Sequence, residues 1–122
     1  MKPRLLVVDD EPDMLDFVER AFRVDYVVLR APGGAEALDL ILEVGPVQVL
    51  VADHHMPGMT GLELVRAVRT RYPGVATVLL SGMDEVPVEE TVVDAAVGKP
   101  IDSDELRFAV EQAVAASRTR AP

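Results

Sequence analysis

The chain has 122 residues, 49% apolar and only 4% aromatic, which suits one domain with an aliphatic core of Val, Leu, Ala and Ile. Its net charge of −9 argues against nucleic acid as a partner, since only Arg118-Thr119-Arg120 is locally basic. The lack of cysteine excludes disulfides and thiolate metal sites. With no signal-like start and no apolar run near the roughly 18 residues of a membrane span, it fits a cytoplasmic protein without a membrane partner.

Short apolar runs alternate with stretches of helical period. A first strand over Arg4 to Val8 leads to a helix opened by Pro12, whose missing N–H costs nothing at a first helical position. Met14, Val18, Ala21 and Phe22 mark that helix's inner face. A second strand over Tyr26 to Ala31 is followed by a helix over Ala35 to Val44, with Ala37, Leu38, Ile41 and Leu42 predicted inside and Gly45-Pro46 as the stop. The third strand, Val47 to Ala52, precedes Thr60-Gly61-Leu62-Glu63, a capping box that opens a helix burying Leu64, Val65 and Val68.

A fourth strand covers Ala76 to Leu80, and a fifth ends at Gly98. Between them Pro87 and Thr91-Val92-Val93 weaken any helix, so a short, irregular one is predicted near Pro87 to Val92. The last helix opens at Asp102, where Asp102 caps and Glu105 reciprocates. Its inner stripe is Leu106, Ala109, Val110, Ala113 and Val114, and the pattern dissolves from Ser117 onward. Strand–helix alternation of this kind implies an α/β fold with parallel strands.

Four of the strand runs end in residues suited to phosphate chemistry: Asp9-Asp10, Asp53, Ser81 and Lys99. In an open parallel sheet the carboxyl ends of the strands share one edge, where ligands bind. Asp10 could simply cap the first helix, with Glu11 meeting its dipole. A second carboxylate cannot do the same. Like charges ~4 Å apart repel by roughly 4 kcal/mol at an effective dielectric of 20, a cost that a bound Mg²⁺ relieves. Asp53 precedes a turn already supplied by Pro57-Gly58, which frees it to act as a nucleophile beside a metal. Ser81 could donate a hydrogen bond to a phosphoryl oxygen, and Lys99 could neutralise another.

Several residues read more plainly. Neighbours on an extended segment point opposite ways, so His54 and His55 do not converge, and no third His or any Cys completes a zinc site. Asp84, Glu85, Glu89 and Glu90 read as a solvated face, and Pro100 could follow a cis peptide.

Taken in order, Val7-Val8-Asp9-Asp10-Glu11, Asp53 with Met56-Pro57-Gly58-Met59-Thr60-Gly61, Leu80-Ser81-Gly82 and Lys99-Pro100 resemble the receiver domain of two-component response regulators. The resemblance implies a flavodoxin-like, doubly wound five-stranded sheet of order 2-1-3-4-5 with five flanking helices. It assigns residues 1–117 to the receiver and 118–122 to a flexible tail. It further implies that Asp53 accepts a phosphoryl group from a sensor histidine kinase or phosphotransfer protein. Mg²⁺ (or Mn²⁺) would be held by Asp9, Asp10, Asp53 and the backbone carbonyl of His55, with Ser81 as switch hydroxyl and Lys99 contacting the phosphoryl group. His55 and Met83 occupy positions that tune phosphoryl lifetime in the family.

Three features depart from that pattern. Ala96 replaces the usual aromatic three residues before the lysine, the interval from Ser81 to Lys99 is a few residues short, and His54 stands at a usually apolar place. The leading expectation is a phosphorylatable switch, not an enzyme beyond its own phosphoryl uptake and autodephosphorylation, that signals to a downstream protein target. A weak homodimer is compatible with it. Ala96 and the short fourth helix motivate an alternative, a pseudo-receiver that binds partners regardless of phosphorylation. A small-molecule phosphohydrolase would need a substrate-recognition insertion, and every loop is short.

Overall fold

Leu5, Leu6, Val7 and Val8 are all fully buried, and so are Val49, Leu50, Val51 and Ala52. Runs buried on successive residues, rather than alternate ones, demand a sheet covered on both faces. The computed structural model, described here for residues 1–82 and 92–120, shows that arrangement. In chain order the elements are β1 (Arg4–Val8), α1 (Pro12–Phe22), β2 (Val27–Ala31), α2 (Gly34–Val44), β3 (Val49–Asp53), α3 (Gly61–Arg71), β4 (Ala76–Ser81), β5 (Ala95–Gly98) and α4 (Ser103–Thr119).

All strand pairs are parallel, in the order β2-β1-β3-β4-β5, as the resemblance implied. Successive strand residues face opposite sides. Leu5, Val7, Val49, Val51, Val78 and Leu80 therefore meet α1 and α4 through Val18, Phe22, Leu106 and Val110. Leu6, Val8, Leu50, Ala52 and Leu79 meet α2 and α3 through Ala37, Ile41, Leu64 and Val68. The strand order turns back between β1 and β3, so the ligand crevice of such a sheet lies beyond the carboxyl ends of those two strands.

Local signals account for the element ends. Pro12 starts α1, and Gly45, at φ 90, closes α2 in a backbone region that side chains disfavour. Thr60 and Glu63 form the full capping box at α3. Asp102 caps α4 by accepting from the Glu105 N–H at 3.0 Å.

Some expectations are corrected. Leu42 is 64% exposed: the inner stripe of α2 runs through Gly34, Ala37 and Ile41 and is rotated away from it. The chain does not dissolve at Ser117. Helix α4 continues to Thr119, and Arg120 beyond it donates to the Pro73 and Val75 carbonyls, so 118–120 are tied down rather than a tail. The described residues hold four helices. The predicted fourth, near Pro87 to Val92, falls mainly on 83–91, outside them, and Val92 itself sits in a turn.

At the amino-terminal edge of the sheet a cavity of about 510 Å³ opens, lined in part by Tyr26, Tyr72, Arg71 and Arg118. The titratable strand-end residues lie at the opposite edge.

Candidate functional site

The crevice is assembled by strand register. Val8 pairs with Ala52, Asp53 with Leu80, and Ser81 with Gly98, which sets Asp9, Asp53, Ser81 and Lys99 side by side along one edge. The Asp9 N–H still donates to the Ala31 carbonyl at 3.2 Å, and the Lys99 N–H to the Ser81 carbonyl at 2.9 Å, so ladder hydrogen bonding extends to the site residues themselves. The peptide bond between Lys99 and Pro100 is cis.

Asp9 and Asp53 are each 1% exposed, whereas Asp10 faces solvent. One carboxylate oxygen from each of the three lies within 4.8 Å of the others. The capping role open to Asp10 is not used. Glu11 occupies the cap position of α1 without a side-chain bond, and it is Asp9 whose Oδ1 accepts from the Glu11 N–H at 2.9 Å.

Lys99 Nζ stands 2.7 Å from Asp53 Oδ1, a close ion pair. One buried carboxylate oxygen, Asp9 Oδ2, has no hydrogen-bond partner, and Asp53 Oδ1 has only the Lys99 ammonium beside it. Burial pushes the Asp9 carboxyl up to about 6; the Glu11 N–H opposes this, Asp53 adds to it, Lys99 opposes it and Asp10 adds to it. Burial also works against the Lys99 ammonium, but the contact with Asp53, helped by Asp9 and Glu11, raises its pKa overall.

Buried carboxylate oxygens without donors are rare in folded proteins and call for a ligand. A hard divalent cation fits. The donors are oxygens, three carboxylates share one small volume, and the one nearby ammonium cannot neutralise them all. Among the described residues this is the one group with metal-ligand spacing, and it contains neither histidine.

His55 is exposed on the loop after Asp53. The His54 backbone donates to the Leu80 carbonyl at 2.8 Å and accepts from the Gly61 N–H at 3.1 Å. Ser81 is 8% exposed at the end of β4. Met83 lies outside the described residues.

The packing role of Gly61, a residue the receiver signature includes, and the part played by Asp94 were not foreseen from the sequence. A Cβ on Gly61 would lie 2.3 Å from the Asp53 carbonyl oxygen, so only glycine lets the first turn of α3 press on the Asp53–His54 backbone. The signal was a glycine at a first helical position, where alanine would be the better helix former. Asp94, at the far edge of the sheet, is only 5% exposed and grips two arginines; no local pattern marks it.

Comparison with known proteins agrees with this geometry. The response regulator receiver domain matches residues 5–111, and the chain belongs to that family. It is 35% identical over 117 residues to the hydrogenase transcriptional regulatory protein HoxA of Cupriavidus necator, covering 92% of this chain and 24% of HoxA. To the sensor histidine kinase TmoS of Ectopseudomonas mendocina it is 33% identical over 119 residues, covering 93% of this chain and 12% of TmoS. The chain therefore spans about a quarter or less of these relatives. Among solved structures, the response regulator TrrA of Thermotoga maritima, in complex with Mg²⁺-BeF, is 29% identical with a TM-score of 0.81, covering 93% of this chain and 99% of that one. The adenylate cyclase of Rhodopirellula baltica is 27% identical with a TM-score of 0.87, covering 96% and 90%.

Proposed function

We propose that this receiver domain takes a phosphoryl group onto Asp53 from a phosphohistidine of a sensor kinase or phosphotransfer protein, and that the modified site changes what the domain binds. The observation that carries this reading is the trio Asp9, Asp10 and Asp53, with a buried Asp9 oxygen lacking a donor and Lys99 at 2.7 Å from Asp53. The relation to a sensor histidine kinase, and the Mg²⁺-BeF complex of TrrA, support the partner and the cation.

Mg²⁺ or Mn²⁺ would be held by Asp9, Asp10, Asp53 and the His55 backbone carbonyl, and when bound it supplies positive charge against carboxylate and phosphoryl oxygens. A carboxylate oxygen of Asp53 attacks phosphorus, forming a P–O bond as the P–N bond to the donor imidazole breaks; the imidazole leaves with the electron pair and takes up a proton. Lys99, already against Asp53, pairs with the phosphoryl oxygens, and Ser81, at the end of the neighbouring strand, donates its hydroxyl to one of them. Asp53 is 1% exposed, and its contact with Lys99 restricts how its carboxylate can turn. Hydrolysis of the aspartyl phosphate resets the domain, and no other substrate is turned over. The setting is cytoplasmic; among the described residues no helix is long and apolar enough to cross a membrane.

The test is intact-mass measurement after incubation with acetyl phosphate and Mg²⁺. One added phosphoryl group is expected on the wild type and none on Asp53→Ala; no addition to the wild type overturns the proposal.

A second reading rests on Ala96, a small exposed residue on β5 where the family's aromatic usually stands. It makes the domain a docking module whose binding ignores phosphorylation, and it predicts unchanged partner affinity for Asp53→Asn.

A further inference from the structure

Lys99 is delivered to Asp53 by β5, and β5 is poorly equipped to hold itself in place. It has four residues, Ala-Ala-Val-Gly, lies at the edge of the sheet, and buries one side chain, Val97. Burying one valine contributes roughly 1.5–3 kcal/mol, little against the ordering of a strand. Beyond its ladder bonds to β4, its ends are held by charge. At the carboxyl end stands the Lys99–Asp53 pair.

At the amino end Asp94 forms a clasp. Its Oδ2 accepts from the Thr77 N–H at 2.9 Å and from Arg120 at 3.0 Å, and its Oδ1 faces Arg69 at 3.4 Å and Arg120 again more closely. Arg69 also donates to the Val92 carbonyl at 2.8 Å, and the Thr77 hydroxyl to the same carbonyl at 2.7 Å.

Arg69 belongs to α3, whose first residue, Gly61, presses on the Asp53 backbone. The path therefore closes on itself: Asp53, Gly61, the length of α3, Arg69, Asp94, β5, Lys99 and Asp53 again. We propose that Asp94, with Arg69 and Arg120, is a positioning device for the phosphoacceptor site, fixing β5 along its axis and so setting Lys99 against Asp53. The catalytic part of this inference rests on the phosphoacceptor reading above; the clasp's hold on β5 does not.

Asp94→Asn keeps the shape and discharges the clasp. Misplacement by a fraction of an ångström costs rate steeply, so the rate constant for phosphorylation by acetyl phosphate is expected to fall roughly five- to tenfold, with Mg²⁺ affinity, read by calorimetry, unchanged. In a Lys99→Ala background the same change is expected to cost nothing further, because the group it positions is gone. Independently of phosphate, exchange of the Lys99 amide, bonded to Ser81 at 2.9 Å, is expected to speed roughly tenfold while Leu6 and Leu50 hold their protection.

Arg120→Gln, milder because Arg120 is 25% exposed, is expected to move both readings the same way by roughly two- to threefold. It carries the test if Asp94→Asn does not fold. An equal loss of rate with and without Lys99 overturns the positioning role, and an unchanged Lys99 exchange rate overturns the clasp. If the wild type takes up no phosphate, the phosphoacceptor reading fails and the exchange measurement alone decides the clasp.

Discussion

The two edges of the sheet each bury carboxylate, and they treat it in opposite ways. At the amino-terminal edge both oxygens of Asp94 are paired, with two guanidinium groups, a backbone N–H and a hydroxyl around it, although Nε of Arg69 has no partner of its own. At the carboxyl-terminal edge Asp9 and Asp53 are at least as deeply buried, yet Asp9 keeps an oxygen with no hydrogen-bond donor, Asp53 Oδ1 has only the Lys99 ammonium, and a third carboxylate crowds them. A buried charge that is fully satisfied supports the architecture. One left short of partners stores a cost that a ligand relieves. The fold thus places its fully paired carboxylate away from the edge that binds, where the Lys99–Asp53 pair serves both the strand and the site.

That contrast can be broken by mutation, most forcefully at its satisfied end. Asp94→Ala leaves Arg69 and Arg120 facing each other without their carboxylate, and loss of such a partner costs about 3–5 kcal/mol. Asp53→Asn in metal-free protein removes one of three crowded anions, while Lys99, 30% exposed, regains water. Loss of the Lys99 pair and relief of the repulsion oppose each other, so the denaturation midpoint is expected to fall much less than for Asp94→Ala. Urea unfolding of both variants decides the matter: comparable losses at the two edges would erase the distinction.

A smaller effect tests how the crowded edge is built. Gly61→Ala puts a methyl against the Asp53 carbonyl oxygen and must shift α3 or β3, at a cost of about 1–3 kcal/mol. Phosphorylation by acetyl phosphate is expected to slow as well. A fully active, undiminished variant would show that the close approach does not set Asp53.

The smallest effect is a slope. With Asp9 at about 6 in the folded chain and 3.8 as its ordinary value, the folded state binds more protons than the unfolded one between those pH values. Metal-free stability therefore falls as pH rises from about 4 to about 6, and saturating Mg²⁺ opposes that fall above it. Denaturation midpoints in chelator across this window are expected to show the slope, and Asp9→Asn to flatten it. A slope that persists in Asp9→Asn would place its origin in another group.

The crowded edge was readable from the sequence because each of its residues ends an apolar run, so the rule for open parallel sheets brings them together without any knowledge of packing. The capping box at Thr60 and the helix start at Pro12 were equally local. The satisfied edge was not readable. Asp94 meets Arg69 across 25 residues and Arg120 across 26, and nothing near any of the three announces the others. The same holds for the end of α4, where sequence periodicity fades at Ser117 but long-range bonds from Arg120 hold the backbone. Leu42 shows a further limit: an apolar residue at helical spacing is inside only if the helix is turned that way.

The cavity beside Tyr26 and Tyr72 gives the molecule an optical property of its own. These are the chain's only tyrosines, and it has no tryptophan, so emission excited where phenylalanine does not absorb originates entirely at the edge remote from Asp53. An unlabelled sample therefore acts as its own distant gauge. A change in that glow on adding acetyl phosphate would mean that the disturbance has crossed the sheet, and a steady signal would confine it to the near side.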